Sequence, residues 1–131
     1  MVASAERPPE GVVLVVEDHE AVRQITIRIL SEAGFRVLGA RDGAEALSLL
    51  AELGPRVVWL VVSDIVMPHT TGEELAETIA QKWPSVQVLL LSAQTAPLSD
   101  FTGSFLQKPF TPEGLLAAVR ALVPSQKAPV D

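Results

Sequence analysis

The sequence predicts a doubly wound α/β domain built on a five-stranded parallel sheet. Three observations carry this. The runs Val12-Val13-Leu14-Val15-Val16, Val57-Val58-Trp59-Leu60-Val61-Val62 and Val86-Gln87-Val88-Leu89-Leu90-Leu91 are apolar with almost no polar alternation, as in strands buried on both faces. Stretches of helical apolar spacing alternate with these runs, the order that gives a parallel sheet with right-handed crossovers. Gly, Pro, Asp or Thr punctuates the joins between them.

Residues 1–11 are small, polar and proline-containing and are expected to be a flexible lead-in to a domain spanning 12–124. After the first strand, Val22, Ile25, Ile29, Leu30 and Ala33 set the expected inner face of a helix from His19 to Ala33, with Gly34 as its stop and Arg28 and Glu32 opposite. Phe35 to Ala40 is a short strand. Asp42 and Glu45 have capping-box spacing ahead of a helix that buries Ala46, Leu49, Leu50 and Leu53 and ends at Gly54-Pro55. The strand leading to Asp64 follows, then a helix from Glu73 to Trp83 with Leu75, Ala76, Ile79, Ala80 and Trp83 inward and Pro84 closing it. The strand from Val86 ends in Ser92. Only about ten residues separate it from the strand Ser104–Lys108, too few for a long helix. Thr111-Pro112 opens the last helix, lined by Leu115, Leu116, Val119, Leu122 and Val123 and closed by Pro124. Residues 125–131 are expected to be a flexible tail.

Composition narrows the function classes. With 48% hydrophobic and 20% charged residues among 131, the chain is globular and large enough for a core. A net charge of −6 argues against direct nucleic-acid binding. The absence of cysteine excludes disulfides and thiolate metal sites. No apolar run reaches membrane-spanning length and no signal-peptide pattern opens the chain, so no membrane insertion and a cytoplasmic location are expected.

Four strands end in reactive groups: Glu17 and Asp18, then Asp64, Ser92 and Lys108. The carboxyl ends of parallel strands share one sheet edge, where ligands bind in open α/β folds. Any one of these residues alone is ordinary, an N-cap, a turn serine or a loop lysine. Asp64 is the exception, since a carboxylate closing so apolar a strand needs partners. Three carboxylates brought together repel and call for a cation, and all-oxygen donors suit Mg²⁺, with Mn²⁺ as an alternative. A lysine and a hydroxyl beside them suit phosphoryl chemistry, in which an aspartate can be the nucleophile.

In order along the chain, Val15-Val16-Glu17-Asp18, Ser63-Asp64-Ile65-Val66-Met67-Pro68 with Gly72, Leu91-Ser92-Ala93 and Phe105-Leu106-Gln107-Lys108-Pro109-Phe110 resemble the receiver domain of two-component response regulators. The resemblance covers about Val12 to Val123. It implies a flavodoxin-like sheet of order 2-1-3-4-5 and a phosphorelay module rather than an enzyme, beyond its own phosphorylation and autodephosphorylation. It implies Asp64 as phosphoacceptor from a histidine kinase or histidine phosphotransfer protein, with a downstream protein that the residues do not name. It further implies Asp18, Asp64 and the Val66 backbone carbonyl as Mg²⁺ ligands, Glu17 acting through a water, and Ser92 and Phe105 as the switch pair. Lys108 would pair with the acyl phosphate beside a cis Lys108–Pro109 bond, and Val66 and Gln94 would tune its lifetime.

One departure stands out. The segment between Ser92 and Lys108 is several residues short for a receiver, so a shortened fourth helix is expected and the usual output and dimerisation face is altered. Two other functions fit less well. An aspartyl-nucleophile phosphohydrolase wants an acid two residues after the nucleophile, where Val66 stands. A degenerate receiver, acting as a phosphate-independent interaction module, would not need the full set Asp18, Asp64, Ser92 and Lys108.

Overall fold

The computed structural model describes residues 10–93 and 103–124. The expectations for the lead-in, for Gln94 and the shortened helix, and for the tail fall largely or wholly outside those residues. Five strands form one parallel sheet: β1 (Val12–Val16), β2 (Arg36–Ala40), β3 (Val58–Asp64), β4 (Gln87–Ser92) and β5 (Ser104–Gln107). Their order is β2-β1-β3-β4-β5, the doubly wound order expected. The described helices are α1 (Glu20–Glu32), α2 (Gly43–Leu53), α3 (Gly72–Lys82) and α4 (Pro112–Ala121).

Alternation along the central strands feeds two separate cores. Val13, Val15, Leu60, Val62, Leu89 and Leu91 pack with Leu30 of α1 and with Leu115 and Val119 of α4. Leu14, Val16, Val58 and Val61 pack with Ala46 and Leu50 of α2 and with Leu75 and Ile79 of α3. A continuous apolar run is therefore what a strand sandwiched between two helical layers requires. The edge strand β2 alternates, with Arg36 and Leu38 exposed.

Helix ends follow local chemistry. Gly34 has φ +102°, a left-handed conformation that stops α1 at little cost for glycine. Asp42 accepts from the Glu45 N–H at 2.9 Å, but Glu45 Oε1 accepts from the Arg41 N–H, so the expected box closes one residue early. The reciprocal capping box occurs at α3 instead, between Thr71 and Glu74. Thr111 caps α4, with Pro112 in its first turn.

Two expected faces are corrected. On α1 the buried residues are Thr26 and Leu30, whereas Val22 is 38% and Ile25 60% exposed. The Thr26 hydroxyl donates to Val22 O at 2.8 Å, which satisfies its polar atom and lets it face inward. On α3, Ala80 is exposed, and Leu75, Ala76 and Ile79 carry the packing.

Candidate functional site

Register brings the strand ends together. Val16 pairs with Ser63, Asp64 with Leu91, and Ser92 with Gln107. The residues that follow β1 and β5, Glu17 and Lys108, therefore meet Asp64 at one edge. Lys108 is tied to β4 through its N–H, which donates to Ser92 O at 2.6 Å, and the Lys108–Pro109 peptide is cis.

The charged centre is compact. Lys108 Nζ donates to Asp64 Oδ1 at 3.1 Å and stands 3.8 Å from Glu17 Oε1. Asp64 Oδ1 also accepts from the Ile65 N–H at 3.1 Å. The Glu17 and Asp64 side chains are mostly buried, while those of Asp18 and Lys108 are about 30% exposed. Glu17 Oε2 accepts from the His19 N–H at 3.1 Å, and its backbone carbonyl accepts from Arg23 at 2.9 Å.

Burial pushes the Glu17 carboxyl above its usual range. The His19 N–H and the Lys108 ammonium oppose that rise, and the Asp64 charge and a hydrogen bond with Asp18 add to it. Three carboxylates share this corner with one ammonium, leaving a surplus of negative charge that a hard cation would offset. The donors are oxygens, as Mg²⁺ prefers, so the residues present fit that ion.

Ser92 is 5% exposed at the end of β4. Phe105 is half-buried on β5 and pairs with Leu90, so alternation puts Ser92 and Phe105 on the same face. Val66 is 78% exposed in the loop after Asp64. Gln94 lies outside the described residues. Sequence reasoning missed the roles of Arg23, which anchors the β1 end, and of Ser63, whose buried hydroxyl donates to Asp64 O at 2.9 Å. Neither carried a signal beyond its position. Gly72 did carry one: a Cβ there would fall 2.4 Å from Asp64 O, so the α3 N-terminus can press on the Asp64 backbone only as glycine.

Comparison with known proteins agrees with this geometry. The chain is 36% identical over 121 residues to the sensor kinase CckA of Brucella abortus (strain 2308), covering 87% of this chain and 13% of that one. It is 38% identical over 117 residues to the response regulator MprA of Mycobacterium sp. (strain KMS), covering 85% of this chain and 50% of that one. The chain thus spans half or less of the length of these two relatives. Among solved structures, the chemotaxis protein CheY4 of Vibrio cholerae superimposes with a TM-score of 0.78 at 29% identity, covering 88% of this chain and all of that one. TrrA of Thermotoga maritima, in complex with Mg²⁺-BeF, superimposes with a TM-score of 0.75 at 29% identity, covering 86% and 99%. The family model for the response regulator receiver domain matches residues 13–120. With the strand order and the acidic edge already in place, that match over most of its length makes this chain a member of the response regulator receiver domain family.

Proposed function

We propose that this receiver accepts a phosphoryl group on Asp64 from a phosphohistidine of a histidine kinase or histidine phosphotransfer protein. The observation that carries this reading is the 3.1 Å contact of Lys108 Nζ with Asp64 Oδ1 at a pocket lined by Glu17 and Asp18. An Asp64 carboxylate oxygen attacks phosphorus. The P–N bond breaks, and its electron pair leaves with the imidazole, which takes up a proton. An aspartyl phosphate results. Lys108 moves from the carboxylate to the phosphoryl oxygens, where its charge offsets theirs.

Asp18, Asp64, the Val66 carbonyl and, through a water, Glu17 would hold Mg²⁺ (or Mn²⁺), which supplies positive charge against the phosphoryl oxygens. Ser92 turns its hydroxyl toward the new group, and Phe105, on the same face, changes rotamer with it. Val66, in the loop after Asp64, and Gln94 set the lifetime by controlling access of the hydrolytic water. The module works in the cytoplasm, hands its signal to a downstream protein and makes no direct nucleic-acid contact, in keeping with its net charge of −6. Among the described residues, no helix is long and apolar enough to cross a membrane.

The test is incubation with acetyl phosphate and Mg²⁺ followed by intact mass. Wild type gains one phosphoryl group and Asp64→Asn gains none. A wild type that stays unmodified overturns the reading.

A further inference from the structure

Arg23 spends its charge on a backbone atom. Its Nη1 donates to the Glu17 carbonyl oxygen at 2.9 Å. The Glu17 N–H donates to Ala40 O on β2 at 3.0 Å, and Glu17 Oε2 accepts from the His19 N–H at 3.1 Å. Glu17 is thus held from three sides where β1 runs out. Arg23 sits one turn into α1, its own N–H donating to His19 O at 2.9 Å. Helical side chains lean toward the N-terminus, which directs Arg23 back to the β1 end. A cation near the positive end of a helix is unfavourable alone, and the charge-assisted bond to the carbonyl compensates.

Gly39 makes the path. It pairs with Val15 inside β2, and its φ is not left-handed, so the backbone conformation does not demand glycine there. The space does. A Cβ at Gly39 would lie 2.8 Å from Ile27 Cδ1, 3.3 Å from Arg23 Cδ and 3.5 Å from Arg23 Cγ. The Arg23 stem therefore runs along bare β2 backbone on its way to Glu17, the close approach that glycine inside a strand permits.

The consequence falls on Asp18. The Glu17 carbonyl shares one planar peptide unit with the Asp18 N–H, so fixing that oxygen fixes how the chain leaves β1. We propose that Arg23 is a positioning residue for phosphoryl acceptance: threaded over Gly39, it holds the Glu17 carbonyl and so sets where the Asp18 carboxylate stands at the shared strand edge. The inference rests on reading Asp64 as phosphoacceptor and Asp18 as cation ligand, and adds a residue that acts through the backbone between them. Loss of this hold appears mainly as a greater Mg²⁺ requirement, because saturating Mg²⁺ can restore the order that Arg23 supplies beforehand.

The experiment compares Arg23→Ala, Arg23→Lys and Arg28→Ala with wild type in the whole chain. In Arg23→Ala without Mg²⁺, hydrogen exchange at the Glu17 amide, read by ¹H–¹⁵N NMR, should speed up about tenfold relative to the core amide of Val61. With acetyl phosphate, the Mg²⁺ concentration for half-maximal uptake should rise about tenfold, with a smaller fall in the rate at saturation. Arg23→Lys keeps a charged donor and should recover part of both effects. Arg28→Ala removes the same charge from an exposed pair on α1 and should change neither. If Arg23→Ala folds poorly, Gly39→Val, which crowds the arginine stem, carries the same expectation. An unchanged Mg²⁺ requirement, an equal rise in Arg28→Ala, or Glu17 and Val61 amides that speed up together would overturn the assignment of Arg23. Absence of uptake by wild type at any Mg²⁺ concentration would instead overturn the reading of Asp64.

Discussion

Lys108 and Asp64 lie 44 residues apart in sequence, yet the lysine ammonium donates to the aspartate at 3.1 Å. The same ammonium is 3.8 Å from Glu17 Oε1, so one cation serves two largely buried carboxylates. This contact implies a direct effect of Lys108 on phosphoryl transfer. Lys108→Ala removes the ammonium proposed to meet the phosphoryl oxygens, and loss of one such group costs on the order of 10²-fold in rate. The rate of uptake from acetyl phosphate at saturating Mg²⁺, followed by intact mass, should fall by about that factor. A rate within a few-fold of wild type would show that the lysine only fills space.

Glu17 gives a prediction about stability and pH. Burial raises its folded-state pKa above the ordinary value of 4.5, so the folded protein holds this proton more tightly than the unfolded chain. The favourable contribution is full below about pH 4.5 and is lost as pH rises through the raised folded-state value. Ionising Glu17 where no cation offsets the charge is therefore unfavourable to the fold. Glu17→Gln should raise Tm at pH 7.5 by about 2–5 °C. That advantage should vanish below about pH 4.5 and shrink at neutral pH when saturating Mg²⁺ is added. Thermal melts of both proteins across this range, with and without Mg²⁺, check it, and an advantage that grows toward low pH would reverse the sign argued here.

The strands and the meeting of Glu17, Asp64 and Lys108 at one edge were legible for one reason: β1, β3 and β4 are sandwiched between helices, so each reads as an unbroken apolar run with a polar residue at its end. Lys108 could be assigned to Asp64's edge without any local link, because parallel strands must finish on the same side. The inner face of α1 was not legible. Val22 and Ile25 are apolar but face outward, and Thr26 is polar but faces inward with its hydroxyl spent on Val22 O. Hydrophobicity alone pointed to a face rotated from the true one. The capping pattern misled in a similar way, since Asp42 and Glu45 have the spacing but Thr71 and Glu74 make the reciprocal bonds. Spacing says which residues can reach, and the local backbone then decides which atom accepts.

The corrected α1 face separates two substitutions that hydropathy would treat alike. Leu30 is fully buried against β1 and β3, and Leu30→Ala should cost about 2–5 kcal/mol. Ile25 is 60% exposed, and Ile25→Ala should stay within about 0.5 kcal/mol of wild type. Chemical denaturation of the two variants measures the difference. Comparable losses at both positions would restore the face expected from sequence.

Gly72 couples the start of α3 to the backbone of Asp64, the proposed phosphoacceptor. Its N–H donates to Ile65 O at 2.8 Å, and a Cβ at this position would lie 2.4 Å from Asp64 O and 2.9 Å from Ile65 Cα. Both obstacles are backbone atoms, so no side-chain rotation relieves the clash, and either α3 or the end of β3 has to shift. Gly72→Ala should therefore lose about 1–3 kcal/mol, despite the better helix propensity of alanine. Displacement of the Asp64 backbone should also weaken the Lys108–Asp64 contact and slow phosphoryl uptake. Thr71→Ala is the control: it removes the capping box next door at a cost of about 1 kcal/mol without placing an atom against Asp64. Uptake that falls in Gly72→Ala but holds in Thr71→Ala, at matched fractions folded, is the expected outcome. Equal uptake in the two would mean that Gly72 serves packing alone.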